Sequence, residues 1–316
     1  MMYNPQLETF LCVVEAGSFS KAAEKMYITA PAVIKQINSL ESSLNLQLFD
    51  RTHRGLIVTE AGKSLYKDTK YIIQYSKDSV ARAQSAMKEN KEVIRVGVSP
   101  MTPPQVFVEL WPKIQKMYSD IKFQIVTFEN TPENAREILG NLGQNIDVVA
   151  GIFDETLLSL RKCQGFEISR EPFCCAVSLH HRLAYKEKLE ITDLYGENLL
   201  LMHRGWSQNI DTMRDEIREH HPEIHTVDFD FYSVEIFNRC ENSNDILLAI
   251  SSWESVHPLM KIIPVEWNYS IPFGLLYASK PSEKVKRLIR ALEQLKNRNK
   301  YFTYRTGTYN VMVYSA

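Results

Sequence analysis

The chain has 316 residues, of which 44% are hydrophobic, and its net charge is −1. This length and apolar content suffice for a substantial core and predict two or three domains. No apolar run approaches the roughly 20 residues that a bilayer-spanning helix needs. The five cysteines are scattered and odd in number, which argues against a disulfide framework.

The charge is divided unevenly along the chain. Residues 1–95 hold 13 Lys and Arg against 10 Asp and Glu, a net of +3, and the remainder holds 24 against 28, a net of −4. A slightly basic N-terminal part beside an acidic remainder is compatible with a nucleic-acid-binding module at the N terminus. The first residues lead directly into an amphipathic segment with no secretory pattern, so we expect a cytoplasmic protein.

Apolar residues recur every three or four positions in three consecutive N-terminal segments, which predicts three short helices. The stripes are Leu7, Phe10, Leu11 and Val14; Phe19, Ala22, Ala23 and Met26; and Val33, Ile37, Leu40 and Leu44. Pro5 suits the first turn of the first helix and Gly17 its end. Thr29 can cap the third helix, with Pro31 in its first turn. This arrangement predicts a helix-turn-helix.

The opposite face of the third helix has no obvious packing role. It carries Pro31, Ile34, Lys35 and Asn38. In a helix-turn-helix this face enters the DNA major groove and makes the base contacts.

A basic turn follows, between two short apolar segments. Arg51, His53, Arg54 and Gly55 lie between Leu48-Phe49 and Leu56-Ile57-Val58, as expected for a β-hairpin whose arginines contact phosphates. The alternative is a small helical subdomain with a solvated basic loop.

One combination of residues, in order over about sixty positions, resembles the N-terminal signature of LysR-type transcriptional regulators. Its members are Leu7 and Phe10, Glu15 to Ala23, Pro31 to Val33, Gln36 and Ile37, Leu40 and Glu41, Leu48 and Phe49, Arg51, Thr59, and Ala61 and Gly62. The resemblance implies a winged helix-turn-helix that binds double-stranded DNA. On this basis we expect Pro31, Ile34, Lys35 and Asn38 to contact bases or the groove, and Thr29, Arg51 and Arg54 to contact phosphates.

The chain departs from the family pattern at three positions. Ala30 and Ile34 stand where family members usually have Gln and Ser, so the operator sequence is open. Ile34 could pack on a thymine methyl group but cannot donate a hydrogen bond. Asn45 replaces the usual Gly after the third helix, a mild change because Asn tolerates the left-handed conformation.

The segment from Thr59 to about residue 90 predicts a single long helix. Thr59 can cap it, with Glu60 in its first turn. A near-heptad seam runs through Leu65, Thr69, Ile72, Ser76, Val80, Ala83 and Met87. In the family this linker helix pairs with a second copy, which implies a homodimer or a homotetramer. The alternative is that the seam packs against its own chain.

Beyond residue 91, β-rich runs alternate with helical patterns, which predicts a parallel sheet with helices on its faces. Thr102 and Gln105 form a capping-box pattern with prolines between them, which predicts a capped helix after the first strand. The family resemblance implies two α/β subdomains similar to the lobes of periplasmic solute-binding proteins.

We therefore expect an α/β fold with an N-terminal winged helix-turn-helix and a long linker helix. The expected divisions are a DNA-binding domain at 1–60, a linker at 61–90, an effector-binding domain at 91–300 and a tail at 301–316. Within the effector-binding domain, lobe I would comprise about 91–164 and 270–296, and lobe II about 165–269. The lobes would be joined by crossovers near 162–166 and 267–272. For the tail, an added edge strand is the simplest expectation.

Two facing lobes imply a cleft, because ligands bind outside the carboxyl ends of parallel strands. The loop Ser99 to Thr102 opens onto a helix N-terminus, which suits a carboxylate or phosphate. The family resemblance points to the same loop as part of a small-molecule effector site. The candidate effector residues are Ser99, Met101, Thr102, Phe128, Phe153, Met202 and His203. The alternative is that Ser99 and Thr102 only cap the helix.

The remaining chemical signals are weak. His220, His221 and His225 are close in sequence, but Pro222 interrupts helical spacing, so we expect a solvated loop and no metal. The cysteine spacing does not resemble a redox pair. No phosphate-binding glycine loop, nucleophile elbow or zinc pattern is present, so we expect no cofactor and no enzymatic activity. A solute-binding protein would explain two lobes but not the helix-turn-helix.

Overall fold

The computed structural model describes residues 2–52, 55–87, 93–298, 301–306 and 309–314. The chain forms two compact units, Met1–Glu89 and Asn90–Ala316. The first contains the elements α1 (Gln6–Ala16), α2 (Phe19–Met26), α3 (Ala30–Leu44), β1 (Phe49–Thr52), β2 (Gly55–Val58) and α4 (Glu60–Met87).

Left-handed residues separate the first three helices. Gly17, Tyr27 and Asn45 end α1, α2 and α3 with φ angles of 65°, 56° and 53°. The expected left-handed Asn45 is confirmed. Tyr27 adopts the same conformation although its Cβ atom disfavours it. Thr29 caps α3 as predicted, since its hydroxyl accepts a hydrogen bond from the amide of Ala32.

The predicted apolar stripes form the core of the first unit. Phe10, Val33 and Ile37 are fully buried. The ring of Phe49 packs edge-on against Phe10, with centroids 5.6 Å apart. Leu44 is an exception: it was expected in the core but is exposed, because it lies in the last turn of α3, past the last buried residue of that helix.

The long helix α4 is predicted correctly, but its seam is divided between two environments. Thr69 and Ser76 are buried within the first unit, together with Ile73. Tyr71 and Ile72 are exposed. Part of the seam therefore packs against its own chain, and Ile72 of the same seam remains on the surface beside Tyr71.

The second unit begins with alternating strands and helices. Its first elements are β3 (Val93–Val98), α5 (Gln105–Met117), β4 (Lys122–Thr127), α6 (Pro132–Gly140), β5 (Val148–Ile152), α7 (Glu155–Arg161) and β6 (Cys163–Ser178). They are followed by β7 (Asn198–Met202), α8 (Gln208–His220), β8 (His225–Phe229), α9 (Val234–Glu241), β9 (Ile246–Ile250), β10 (Met260–Pro264), β11 (Ser270–Ala278) and α10 (Glu283–Arg298). Short 3₁₀ helices span Ile191–Leu194 and Ser251–Trp253.

The sheet of the second unit is mixed, with order β4-β3-β5-β11-β6-β9-β7-β8, and β10 also pairs with β6. The pairs β3–β4, β3–β5, β7–β8 and β7–β9 are parallel, as the sequence predicts. The shared strands β6 and β11 run antiparallel to their neighbours. They divide the sheet into a first half (β4, β3, β5) and a second half (β9, β7, β8).

The long strand β6 connects the two halves. It pairs with β11 as far as Pro172 and with β9 from Phe173 onward. It therefore leaves the first half several residues after the crossover expected near 162–166, because its ladder with β11 continues for the whole of Cys163–Pro172. The return through β11 begins at Ser270, inside the expected interval 267–272.

Two local predictions about the second unit are wrong. The run Phe229-Asp230-Phe231-Tyr232 has the composition of a strand, but the strand β8 ends at Phe229. The capping box at Thr102 does not form, since α5 begins at Gln105 after an N-cap at Pro104 that makes no side-chain capping bond. The Thr102 hydroxyl instead accepts a hydrogen bond from the amide of Ser99.

A buried carboxylate holds β3 and α10 together in the second unit. Asp147 is only 1% exposed and accepts hydrogen bonds from the backbone and the guanidinium of Arg95. The ammonium group of Lys284 lies 2.7 Å from the same carboxylate. Since both cations are themselves largely buried, this cluster joins three segments that are distant in sequence.

The tail is a β-hairpin rather than a single edge strand. Its strands β12 (Tyr301–Thr306) and β13 (Tyr309–Tyr314) pair with each other in antiparallel fashion. No helix among the described residues has the length and hydropathy to cross a bilayer. The cysteines are all free thiols.

Candidate DNA interface and ligand cleft

The outer face of α3 is available at the surface of the first unit. Pro31, Lys35 and Asn38 are exposed, and Ile34 is half-buried. On the opposite side, Val33 and Ile37 are fully buried. Three of the four residues expected to contact bases are thus exposed, and the fourth is partly so.

Hydrogen bonds from α1 fix the position of α3. The hydroxyl of Thr9 donates to the side-chain carbonyl of Gln36. The amide of Gln6 donates to Ser39 Oγ at 3.0 Å. These bonds, together with the packed apolar face, hold the outer face of α3 in a fixed orientation.

The hairpin contributes an arginine to the same surface. Arg51 Nη2 donates to Asn38 Oδ1 at 2.5 Å, and its guanidinium lies 5.2 Å from the centroid of the Phe19 ring. Asn38 Oδ1 is therefore engaged, which leaves its Nδ2 group to donate to another acceptor. Arg54, which was expected to contact phosphates, lies outside the described residues.

Glu41 is a residue of this surface that the sequence analysis did not single out for a role. Its Oε1 accepts hydrogen bonds from the amides of Leu48 and Phe49, at 2.6 and 3.1 Å. This bond joins α3 directly to the strand that carries Arg51. The short separation in sequence between Glu41 and Leu48-Phe49 could have indicated this contact.

In the second unit, loops from the two halves of the sheet meet at a common edge, which we call the cleft. Trp253 Nε1 donates to the carbonyl of Met101 at 3.1 Å. Ser207 Oγ donates to Asp154 Oδ2 at 2.6 Å in a buried contact. Asn130 Nδ2 donates to the carbonyl of Tyr232 at 2.8 Å. These bonds place the carboxyl ends of β3 and β5 opposite those of β7 and β9.

The predicted loop at Ser99 is present but closed on itself. The Ser99 amide donates to Thr102 Oγ1, the two hydroxyls lie 2.8 Å apart, and the Thr102 amide donates to the Ser99 carbonyl. Ser99 and Met101 are buried. The two hydroxyls therefore stabilise a tight turn instead of capping α5.

Two of the aromatic residues predicted for the effector site, Phe128 and Phe153, lie together in one apolar cluster. Phe153 and Phe128 pack into a separate apolar cluster with Leu142, Ile146 and Leu276. Phe153 is buried, and its ring occupies the space that a Cβ atom on residue 165 would fill.

Met202 and His203 have different environments. Met202 is fully buried, and its carbonyl accepts a hydrogen bond from Arg214 Nη2 at 2.5 Å. His203 is exposed, and its Nδ1 lies 3.0 Å from the carbonyl oxygen of Arg204. Of the seven predicted effector residues, the structure thus brings together Ser99, Met101 and Thr102.

An aromatic row that the sequence analysis missed lies at the cleft instead. It consists of Trp206, Tyr232 and Trp253, whose adjacent ring centroids are 5.8 and 4.6 Å apart. At one end, Trp253 binds Met101. At the other end, the guanidinium of Arg161 lies 5.9 Å from the Trp206 ring centroid. Trp206 lies in the loop that follows the carboxyl end of β7, which was the available sequence signal.

Among the described residues, no group of three or more His, Cys, Asp or Glu side chains is arranged to hold a metal ion. The three histidines that are close in sequence also have different environments. His221 Nδ1 lies 2.9 Å from the hydroxyl of Tyr195, whereas His220 and His225 are exposed.

The first unit is a winged helix-turn-helix, and the second is a mixed α/β unit with a cleft between the halves of its sheet. The model for the bacterial regulatory helix-turn-helix proteins of the lysR family matches residues 5–63. The model for the LysR substrate binding domain matches residues 88–296. The chain therefore belongs to the LysR family.

Two named transcriptional regulators are similar to this chain. The HTH-type transcriptional regulator CysL of Bacillus subtilis is 26% identical over 204 residues, which are 65% of this chain and 66% of CysL. YofA of Bacillus velezensis, also an HTH-type transcriptional regulator, is 30% identical over 202 residues, 60% of this chain and 70% of YofA. The chain thus spans about two thirds of the length of these relatives.

Solved structures of CbnR, a LysR family transcriptional regulator, share the fold. The crystal structure of CbnR has a TM-score of 0.53 at 16% identity, covering 93% of this chain and 99% of CbnR. Full-length CbnR in complex with its target DNA gives a TM-score of 0.50 over the same shares of the two chains.

Proposed function

We propose that this protein is a sequence-specific DNA-binding regulator of transcription whose DNA binding is modulated by a small-molecule effector in the cleft. The single observation that carries the proposal is the outer face of α3. Lys35 and Asn38 project from a helix whose other face is buried, and Arg51 from the hairpin reaches the same surface. The names of CysL and YofA as transcriptional regulators support this reading.

In this proposal the outer face of α3 lies in the major groove. Pro31, Ile34, Lys35 and Asn38 contact bases or the groove wall. Asn38 offers a side-chain amide donor, and Ile34 offers an apolar surface for a thymine methyl group. Thr29, Arg51 and Arg54 contact phosphates. Arg51 exchanges its bond with Asn38 for a phosphate oxygen, or keeps that bond and positions the asparagine.

We propose that the protein acts as a homodimer, or as a tetramer made of two dimers. The exposed stripe on α4 supports this, because Tyr71, Ile72, Tyr75 and Val80 are all at least 36% exposed on one helix. A second copy of α4 would bury this stripe. Two copies of α3 would then read half-sites about one turn of DNA apart. Such a protein works in the cytoplasm, has no catalytic role and needs no metal or cofactor.

The effector site of this proposal is the cleft, with Ser99, Met101 and Thr102 on one side. Phe128, Phe153, Met202 and His203, which the sequence suggested, contribute to its surroundings. A ligand that binds the two halves of the sheet differently would shift their arrangement, and linkage would transmit the shift to DNA affinity.

The test is a footprint and a gel shift on the DNA beside the encoding gene, with wild type and Lys35→Ala. Lys35→Ala should weaken binding about tenfold and reduce the slope of log K against log salt by about one, because one phosphate or base contact is lost. Lys122→Ala, in β4 of the second unit, removes the same charge and should leave both unchanged. Undiminished affinity together with an unchanged salt slope in Lys35→Ala would remove Lys35 from the interface.

A further inference from the structure

Asn38 and Arg51 form a coupled pair of side chains on the surface of the first unit. Arg51 Nη2 donates to Asn38 Oδ1 at 2.5 Å, and both residues are exposed. Arg51 lies in β1, paired with Leu56 of β2, whereas Asn38 lies in the middle of α3. The bond therefore joins the hairpin to the face of α3 that is expected in the major groove.

Further contacts hold the guanidinium of Arg51 in place beside α3. It lies 5.2 Å from the centroid of the Phe19 ring, an attractive cation–π distance. That ring packs edge-on against the buried ring of Phe49, with centroids 5.9 Å apart. The strand that carries Arg51 is also attached to α3, since Glu41 Oε1 accepts hydrogen bonds from the amides of Leu48 and Phe49. Arg51 is thus directed at Asn38 before DNA binds.

This bond determines which end of the Asn38 amide is presented to DNA. A guanidinium has N–H donors and no acceptor, so the amide turns Oδ1 toward Arg51 and leaves Nδ2 to donate elsewhere. An unconstrained asparagine reads adenine, because its oxygen accepts from N6 while its nitrogen donates to N7. Adenine would bring its N6 donor to the oxygen that Arg51 already occupies, so two donors would meet at one acceptor.

We propose that Arg51 positions Asn38 to read a guanine in the major groove, a proposal that rests on the DNA-binding function above. The pair offers the groove only N–H donors. Guanine presents two adjacent acceptors there, N7 and O6, whereas thymine presents one, adenine places a donor beside its acceptor, and cytosine presents a donor. Asn38 Nδ2 donates to the guanine edge, and the remaining N–H groups of Arg51 reach a phosphate.

The experiment selects bound duplexes from a random-sequence DNA pool with the purified full chain, as wild type, Asn38→Ala, Arg51→Met and Lys35→Ala. The base pair at which Asn38→Ala loses its preference is the one that Asn38 reads. In the wild type this pair should be G·C, and its exchange for A·T should weaken binding about tenfold in a gel shift. In Arg51→Met the side chain can still pack on Phe19, but Asn38 Oδ1 is released, so the preference should move to A·T.

Lys35→Ala separates base reading from the loss of positive charge. It removes a charge from the same face of α3, so it should weaken binding and still keep the G·C preference at the pair that Asn38 reads. Arg51→Met also loses a phosphate contact, which lowers the affinity for every sequence by a similar factor. Only a change in base preference therefore reports on the bond to Asn38. Thermal unfolding of Arg51→Met verifies that the exposed substitution leaves the fold intact.

The selected sequences distinguish failure of this proposal from failure of the proposed function. An enriched motif that Asn38→Ala does not alter, or one with A·T at the pair that Asn38 reads, would overturn the proposal and leave DNA binding supported. A G·C preference that persists in Arg51→Met would do the same, and Arg51 would then contact phosphate alone. A wild type that enriches no sequence would contradict the proposed function and this proposal with it.

Discussion

The outer face of α3 and the cleft differ in how their candidate residues are used inside the protein. On α3, Lys35 and Asn38 are exposed, and their backbone is fixed by a buried face within the same helix. In the cleft, Ser99, Met101 and Met202 are buried, and their polar groups bind other parts of the chain. The interface with DNA is thus a preformed surface, whereas the cleft is closed by its own contacts.

This difference shows what a ligand must do in each region. DNA can bind to α3 without breaking internal structure, and the bond between Arg51 and Asn38 can persist. An effector has to compete with contacts such as those between Ser207 and Asp154 and between Trp253 and Met101. Substitutions on the outer face of α3 should therefore change mainly DNA binding, whereas substitutions in the cleft should also change stability.

The largest expected effect is loss of stability in the second unit from Asp147→Ala. The change leaves the charges of Arg95 and Lys284 largely buried without a carboxylate. Breaking a buried pair in this way typically costs about 3–5 kcal/mol. Denaturant unfolding measures the change, with Asp120→Ala as a control at an exposed pair with Arg287, where little change is expected. A loss no larger than that of the control would mean that water already screens the cluster.

Asn38→Asp should affect DNA binding and stability in opposite directions. The new carboxylate accepts a charge-assisted bond from Arg51, so the folded protein should be at least as stable. The same charge repels phosphates and cannot donate to a base acceptor, so DNA affinity should fall tenfold or more, as the loss of a base contact of about 1–3 kcal/mol implies. Asn38→Ala is the matched variant, which removes the contact without adding charge. If Asn38→Asp binds DNA as tightly as the wild type, the base contacts lie elsewhere.

Gly165→Ala tests whether Phe153 is a core residue or a movable wall of the cleft. An added Cβ atom would lie 2.6 Å from the Phe153 ring, so the ring has to shift. Overpacking of this kind costs about 1–3 kcal/mol. Phe153→Leu in the same chain should recover part of the loss, which a double-mutant cycle measures. Strictly additive losses would indicate that the ring moves freely and that Phe153 can line a ligand site.

The sequence predicts the first unit well because its information is local. The spacing of Phe10, Val33 and Ile37 determines which face of each helix is buried. Thr29 and Asn45 act on the backbone within a few residues of their own position. The main exception is Leu44, whose periodicity matches the core but whose position in the last turn leaves it exposed. The environment of α4 also depends on its packing against α1. The apolar pattern of α4 alone does not specify this packing.

The cleft is less predictable because distant residues form it. The order of strands and helices is predicted, but the antiparallel pairing of β6 and β11 is not. This pairing sets where the chain passes from one half of the sheet to the other. The bond between Trp253 and Met101 joins residues 152 positions apart. The cap pattern at Thr102 also competes with a turn in which its hydroxyl binds Ser99. The aromatic row of Trp206, Tyr232 and Trp253 likewise joins residues from three separate loops, which no local pattern encodes.

The smallest expected effect is a gain in stability from Tyr27→Gly, at the turn between α2 and α3. Tyr27 has a φ of 56° and is 95% exposed, so its side chain contributes little burial to offset the left-handed backbone. Gly adopts this conformation freely, and removing the strain should exceed the added entropy of the unfolded chain by about 0.5–1 kcal/mol. Gly17→Ala provides the reverse control at a φ of 65° and should be destabilising. If Tyr27→Gly gains stability and yet weakens DNA binding, the exposed phenol contacts DNA and its strain serves the interface. If it gains stability at unchanged affinity, the turn only connects the helices.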